Sequence, residues 1–516
     1  MNLLLSVPTM IHRPSLQRTA ALMCVLALLA VADASIGVAQ TSTQAELRAA
    51  IDEAVAQGGM PNAWWTIRIQ DAETGYPLYE RDTGRSFIPA SNTKLYSTAA
   101  ALDILGPDFR FETQLATDGS IEDGVLDGNL YVIGSGDPVI GGRFTDGDIT
   151  LYFRQWADSL KAMGIRSISG HIVGDDDAFD EEPFGYGWQW DDLPYWYAAE
   201  LSALSFNDNC VDFYLESTST GQPASLRWEP HMTSYVTARN GSVTVEEGSR
   251  LEEDYFRVQG TNDFVLSSRV PMGRTDVESL SVANPTAYFV HVLREVLLQE
   301  GISVRGEALD IDELAVKPSR DAHIHLYSHF SPTLAEIVVP LNKRSQNLYA
   351  EQALRAIAVS LPPELGEPEA GSAALAIDRA RRLTYGPAGV DTTYLQLVDG
   401  SGLARQNLVT SSMTSALLQY MWDHPDPATR NAFIESLPIA GVDGTLSSRM
   451  RDTAAQGNVR AKTGTLGSAS ALSGYVTTPN GKTLIVSIMT NHHTESSRRP
   501  RMVQDAVMII AAQHTF

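Results

Sequence analysis

The chain has 516 residues, enough for two or three domains with well-buried cores. Its 43% hydrophobic and 19% charged composition excludes whole-chain disorder. A formal net charge of −24 with no basic stripe excludes a protein that tracks a phosphate backbone or clings to an anionic membrane, so no nucleic-acid partner is expected.

From the N-terminus, Arg13 and Arg18 precede an apolar run at 20–32, and small-residue sites follow at Ala32-Asp-Ala34 and Gly37-Val-Ala39. These are the basic region, the apolar stretch too short for a bilayer, and the cleavage site of a secretory signal over residues 1–39; an uncut anchor is the alternative. Removing it takes Arg13, Arg18 and Asp33 and makes the chain one charge more negative. Cys24 leaves with it, in a poor context for a lipoprotein signal, and Cys210 remains alone, so no internal disulfide is expected. No later stretch is long and apolar enough to predict an integral membrane segment in the mature chain.

Strand-like runs at 65–70 and 76–79 flank Glu73-Thr-Gly75 and predict an early hairpin. Runs at 471–478 and 483–489 surround Pro479-Asn-Gly481, a strong hairpin signal, and 499–513 reads as a closing helix. Both ends of the chain therefore supply strands to one antiparallel sheet covered by helices. The middle reads differently: 109–140 and 165–177 are β-rich with many glycines, 210–254 is a run of short strands, and 284–301 is an amphipathic helix. A composite insertion is expected, entering after Gly106-Pro107 and returning near Asp321.

Three motifs bracket that insertion. Ser91-Asn-Thr-Lys94 sits at a turn, followed by Leu95, Ala99, Leu102 and Leu105 in helical spacing and a stop at Gly106-Pro107. Ser91 and Lys94, three residues apart, share a helix face. A serine hydroxyl is a weak nucleophile that needs a neighbour to take its proton. Lys94 can do so as a neutral amine, which burial, the helix N-terminus and a second cation all favour. Alone, the motif is weak, because a chain of this length holds on the order of one or two Ser-x-x-Lys strings by chance.

Ser345-Gln-Asn347 follows a helix expected to be capped by Ser331 with Pro332 in its first turn, and precedes another at 348–357. Ser345 can relay a proton between a lysine and a leaving group, and the Asn347 amide can orient Lys94 and bind substrate backbone. Lys462-Thr-Gly464 opens a strand that runs on through Thr465. Gly464 permits close approach of substrate, while the Thr463 hydroxyl and the Lys462 charge suit the free carboxylate of a peptide C-terminus. The backbone N–H groups of Ser91 and Thr465 are the expected oxyanion hole.

This set resembles the penicillin-recognising serine hydrolases. It is most similar to the D-alanyl-D-alanine carboxypeptidases/endopeptidases of the class C low-molecular-mass penicillin-binding proteins, in which the second motif reads Ser-x-Asn. The resemblance also rests on Gly134-Ser-Gly-Asp-Pro138, Ser202-Ala-Leu-Ser-Phe-Asn-Asp-Asn-Cys210, Asp399-Gly-Ser-Gly-Leu403, Gly441-Val-Asp-Gly-Thr-Leu446 and Arg460-Ala-Lys-Thr-Gly-Thr-Leu466, and spans nearly all of the mature chain. It implies an α+β fold: a β-lactamase/transpeptidase-like domain (40–114 and 322–516) with two β-rich inserted domains, one of 115–206 and 286–321, the other of 207–285. It implies a cofactor-free serine carboxypeptidase of the periplasm or cell envelope, acting on peptidoglycan stem peptides and cross-links, with β-lactams as covalent inhibitors. The catalytic set would be Ser91, Lys94, Ser345, Asn347 and Lys462; Thr463, Gly464, Thr465 and, through a family position facing the substrate side chain, Arg405 would bind substrate. Two departures, Ala404 where relatives more often carry serine and Gln346 where aspartate is common, bear on substrate preference. The rival readings are a β-lactamase or esterase with the same nucleophile, and a catalytically silent peptidoglycan-binding protein.

Other signals are set aside. His323, His325 and His329 alternate as on one strand face, with no cysteine or carboxylate cluster to make a metal site. The acidic residues 175–177 and 180–182 lack the glycine and terminal glutamate of a calcium loop. Trp188, Trp190 and Trp196 are read as loop-packing residues, with a wall of the substrate groove as the alternative. No Gly-x-Ser-x-Gly elbow or phosphate-binding Gly-Lys loop is present.

Overall fold

The computed structural model describes residues 42–362 and 371–515. The segment read as a secretory signal lies outside them, as does Cys24. No helix of the described residues is long and apolar enough to cross a membrane.

Five antiparallel strands form the central sheet, in the order Pro77–Arg81, Trp64–Asp71, Thr483–Asn491, Ala469–Thr477, Arg460–Leu466. Both expected hairpins are present, the second turning at Gly481 with φ +83°, a conformation glycine adopts without strain. The inner strands are apolar on both faces because both are covered. Ala471, Tyr475, Ile485 and Met489 face a cluster shared with the helices Thr93–Leu105, Asn347–Ser360 and Ser411–Trp422. Leu472, Val476, Leu484, Val486 and Ile488 face the helices Gln44–Gln57 and Arg498–Gln513. The period-two alternation of the two sets fixes the register, since a one-residue slip would exchange the faces. Arg460–Leu466 is left at an edge, its first residues bridged to Ile439 and the Pro438 carbonyl.

The insertion contains a second five-stranded sheet, ordered Ala308–Asp310, Ile172–Asp175, Leu130–Ile133, Glu112–Thr117, Ile324–Phe330. Its outgoing strand Ile324–Phe330 pairs antiparallel with its incoming strand Glu112–Thr117. The antiparallel pairing of these two strands brings the chain's entry into this sheet and its exit from it side by side. A second group of strands, with Cys210–Glu216 between Ser225–Glu229 and Thr275–Ser281, lies within residues 207–285. Both parts of the insertion share one hydrophobic cluster, in which Phe153, Trp156, Phe206, Phe213, Phe264 and Phe289 are buried together.

Two local readings are corrected, a helix cap and a missed helix. The helix Leu334–Lys343 is capped by Thr333, not Ser331. Thr333 and Glu336 make a reciprocal capping box, while the Ser331 hydroxyl accepts from the Phe111 N–H. The insertion carries a second helix, Leu151–Ala162, announced by Phe153, Trp156, Ala157 and Leu160 at i, i+3, i+4 and i+7. The three histidines go to separate environments: His323 stacks on Tyr131, His325 meets the Ser328 hydroxyl at 2.8 Å, and His329 is buried against Tyr152 and Trp156. Of the acidic loop, Asp177 groups with Glu181 and Asp312 around Lys317, which forms ion pairs with Asp177 at 2.7 Å and with Asp312.

Candidate active site

The nucleophile candidate Ser91 lies in a one-turn 3-10 segment, Ala90–Asn92, that runs into the helix Thr93–Leu105. This helix is buried from Thr93 to Leu102, with Lys94, its second residue, fully buried beneath the part-exposed Ser91. Its Nζ reaches three oxygens: Asn347 Oδ1 at 2.5 Å, the Ser401 carbonyl at 2.6 Å and Ser91 Oγ at 3.1 Å. Two of these are carbonyls, which can only accept. A neutral amine has two N–H bonds, so satisfying both carbonyls leaves its lone pair for the Ser91 hydroxyl proton. Burial pushes the Lys94 amine down to about 7, against the opposing pull of Asp399 and Glu351.

The second motif joins two helices. Ser345, with φ +61°, turns the chain between Leu334–Lys343 and Asn347–Ser360. Lys462 Nζ donates to Ser345 Oγ at 2.8 Å and to the Thr463 carbonyl at 2.9 Å. Burial, with Lys94 as the nearby cation, pushes Lys462 well below its ordinary value. Asn347, at the head of its helix, also donates its Nδ2 to the Tyr197 carbonyl of the insertion at 2.6 Å, which fixes the amide's orientation toward Lys94.

The third motif lies on the edge strand, against the nucleophile turn. Asn92 Nδ2 donates to the Lys462 carbonyl at 2.9 Å. A Cβ on Gly464 would stand 2.5 Å from the Pro89 carbonyl and 3.1 Å from the amides of Ser91 and Asn92, so only glycine permits this approach. Thr463 Oγ1 donates to Thr445 Oγ1 at 2.8 Å, and Thr465 Oγ1 accepts from Arg501 at 3.3 Å. The three motifs thus meet in one groove. Arg405 lies at its rim, donating to the Gly467 carbonyl at 2.8 Å and to Gln189 Oε1 at 3.0 Å.

Sequence reasoning missed the layer behind Lys94. Glu351, fully buried one turn after Asn347, accepts from the Gly400 and Ser401 amides at 3.0 and 2.8 Å. Asp399 accepts from Gly402 N, Ala404 N, Asn407 Nδ2 and Trp188 Nε1. These two carboxylates shape the loop that presents the Ser401 carbonyl to Lys94. Burial and the nearby Asp399 push Glu351 up to about 7. A visible signal was Glu351, four positions after Asn347 and four before Arg355 on one face of the helix. Of the insertion's tryptophans, Trp188 packs against the catalytic core as well as bonding Asp399, whereas Trp190 is exposed.

Residues 47–514 match the model of the D-Ala-D-Ala carboxypeptidase 3 (S13) family. A D-alanyl-D-alanine carboxypeptidase of Actinomadura sp. is 34% identical over 510 residues, covering 94% of this chain and 87% of the relative. The D-alanyl-D-alanine carboxypeptidase DacB of Haemophilus influenzae is 29% identical over 408 residues, covering 77% of this chain and 78% of the relative. The crystal structure of penicillin binding protein 4 from Haemophilus influenzae superposes with a TM-score of 0.75 at 24% identity, covering 90% of this chain and 99% of that one, which establishes a shared fold. The motifs and fold agree with these matches over almost the whole length, and the chain belongs to the D-Ala-D-Ala carboxypeptidase 3 (S13) family of serine hydrolases.

Proposed function

We propose that this serine-type D-Ala-D-Ala carboxypeptidase works through an acyl-enzyme on Ser91. The observation that carries the assignment is the Lys94 amine, buried, held by two carbonyl oxygens and left facing the Ser91 hydroxyl. Ser91 Oγ attacks the carbonyl of the penultimate D-alanine while Lys94 takes its proton. The oxyanion is received by the N–H groups of Ser91 and Thr465. The proton reaches the departing amine through Ser345, whose hydroxyl is bonded to Lys462. Water then hydrolyses the ester. Thr463 and Lys462 bind the terminal carboxylate, and Gly464 lets the substrate close against the nucleophile turn. An anion arriving beside Lys462 restores the charge that burial disfavours, so carboxylate binding and protonation of Lys462 are coupled.

The substrates are peptidoglycan stem peptides, and the same acylation opens peptide cross-links as an endopeptidase. β-Lactams acylate Ser91; a β-lactam complex is known for penicillin binding protein 4 of Haemophilus influenzae. Arg405, at the groove rim, contacts the side chain of the acyl strand. The signal-like pattern of residues 1–39 supports export to the periplasm or cell envelope.

The test is intact mass after mixing with excess benzylpenicillin, with Ser91→Ala as control. A lasting adduct of one penicilloyl group, absent in the variant, with D-alanine released from a pentapeptide, is the expected result. An adduct that forms and vanishes while penicillin is consumed would make the protein a β-lactamase. No adduct and no D-alanine release would make it a binding protein.

A further inference from the structure

Three aromatic side chains contribute almost nothing to the packing of the fold. Trp190, Tyr186 and Tyr394 are 76%, 72% and 70% exposed, the highest values among the described phenylalanine, tyrosine and tryptophan residues. Burial of apolar surface drives folding, so a single exposed ring means little, but several in one place call for a reason. All three lie at one end of the groove. Gln189, next to Trp190, accepts from Arg405 Nε at 3.0 Å. Gly187, next to Tyr186, is pressed on Gln406 so closely that a Cβ there would stand 2.3 Å from its Oε1. Gln396, two residues after Tyr394, donates to the Gln406 carbonyl at 2.8 Å and exchanges backbone bonds with Leu408 at 2.7 and 3.1 Å. A loop of the insertion and a segment of the catalytic domain therefore converge on residues 405–408, and each brings exposed rings.

The edge strand Arg460–Leu466 aims substrate at this place. Arg405 is tied to the Gly467 carbonyl, just past the strand's C-terminal end, whereas Lys462 and Thr463 lie nearer its start. A peptide with its terminal carboxylate at Thr463 runs its upstream residues toward Arg405, at roughly 3.3 Å per residue. What lies upstream of the peptide then meets the rings. Their neighbours are polar. Exposed Asp191 forms no ion pair among the described residues, and Gln406 Oε1 has no hydrogen-bond partner among them. The core of a protein interface is depleted of such charge, which disfavours a protein partner here. Separate flat rings with acceptors beside them suit a sugar, whose pyranose face shows C–H groups and whose rim carries hydroxyls.

We propose that Trp190, Tyr186 and Tyr394 form a sugar-stacking rim that holds the glycan unit to which a stem peptide is attached. The proposal rests on the acyl-enzyme reading above and adds a carbohydrate subsite at the acyl end of the groove. Between the residue at Arg405 and the first sugar lie two residues and a short acyl link, about 10 Å of extended chain. The rings touch no reacting atom, so their contribution is equal in the ground state and the transition state. It lowers KM for a glycan-linked peptide and leaves kcat unchanged.

The test measures D-alanine release from a free stem pentapeptide and from the same peptide carrying its disaccharide, with benzylpenicillin acylation alongside. Trp190→Ala and the double variant Tyr186→Ala/Trp190→Ala remove exposed rings without opening the core. Trp190→Phe keeps a ring. The expected result is a wild-type KM about fivefold or more lower for the disaccharide-linked peptide, at equal kcat. Trp190→Ala should lose most of that advantage, the double variant all of it, and Trp190→Phe little. Free-peptide turnover and acylation should stay within about twofold of wild type in all three variants. Equal wild-type KM for the two peptides, an advantage that survives the double variant, or equal losses on all substrates would overturn the proposal. So would a wild-type dimer in sedimentation that Trp190→Ala dissociates while the sugar advantage persists, since the rings would then serve a second copy of the chain. Failure of wild type to form a penicillin adduct or release D-alanine would sink the acyl-enzyme reading and the proposal with it, a different result from equal KM on the two peptides.

Discussion

Acylation of Ser91 by benzylpenicillin, followed from pH 5.5 to 9, tests the proposed role of Lys94 directly. An ordinary lysine, at 10.5, is neutral in about one molecule in three thousand at pH 7. With the amine pushed down to about 7, half of the molecules carry the lone pair at that pH. The difference corresponds to a disfavouring of the buried ammonium on the order of 5 kcal/mol. Because a lowered pKa makes the neutral base available as pH rises through it, the acylation rate should climb with pH. The neutral fraction goes from about a tenth at pH 6 to about nine-tenths at pH 8, an increase of roughly tenfold with a plateau above. The benzylpenicillin carboxylate stays ionised throughout, so the limb belongs to the enzyme. Rapid-mix acylation at substoichiometric turnover, read by intact mass, gives the rate constant at each pH. A flat profile between pH 6 and 8, or a limb centred near 10, would refute the lysine as proton acceptor in its buried, three-oxygen environment.

Other outcomes follow from neighbouring contacts. Glu351→Gln removes a carboxyl whose charge, present from about pH 7 upward, favours the Lys94 ammonium, so the upper part of the limb should move to lower pH; an unmoved limb would mean that Glu351 shapes the loop without acting on the amine. Gly464→Ala places a Cβ 2.5 Å from the Pro89 carbonyl, a clash costing about 1–3 kcal/mol, and should slow acylation by roughly ten- to a hundredfold with the fold intact by circular dichroism. Acylation within about threefold of wild type would show that the strand need not press so close to the nucleophile turn. Asp137, fully buried with Oδ1 accepting from Val139 N at 2.9 Å and Oδ2 unpaired, is pushed up to about 7 by burial. A raised carboxyl pKa costs stability as pH rises from the unfolded value to the folded one, so Asp137→Asn should gain on the order of 2 kcal/mol more at pH 8 than at pH 5 in urea unfolding. His329, its Nε2 3.9 Å from Asp137 and pushed down to about 4, gives the opposite slope in both proteins, so their difference isolates Asp137; an equal effect at both pH values would refute the buried charge as its cause.

That Ser91, Lys94, Ser345 and Lys462 come together was legible because each lies within a few residues of a turn or strand start that the sequence announces. Ser91 and Lys94 needed only helical spacing to be placed together, and the structure puts them 3.1 Å apart. The two hairpins were legible for the same local reason, since Asn480-Gly481 and Thr74-Gly75 punctuate runs whose alternation already shows two buried faces. What could not be read depends on distant partners. Nothing near Ile324–Phe330 announces that it pairs with Glu112–Thr117, more than 200 residues away in sequence. The Ser331 cap failed differently: two hydroxyl residues competed for one helix start, and the reciprocal glutamate selects Thr333.

The support behind Lys94 shows why motif residues alone do not make the site. Asn347, Glu351 and Arg355 fall at i, i+4 and i+8, a polar ridge along a helix buried from Asn347 to Ala358. Each meets a different segment: Lys94 at the first, the Gly400–Ser401 amides at the second, and Asp180 with the Gly371 carbonyl at the third. A ridge of this kind is costly to bury unless its members are satisfied. Here most partners come from the helix of Lys94, the loop before Arg405 and the insertion, while Arg355 Nε has none among the described residues. Lys94 is therefore positioned by the whole assembly, through a carbonyl and an amide that themselves hang on buried carboxylates and on Tyr197. An insertion that supplies none of the three motifs thus reaches the site through the Asn347–Tyr197 bond and the Trp188–Asp399 bond, which steady the two carbonyl oxygens that meet Lys94 beside Ser91.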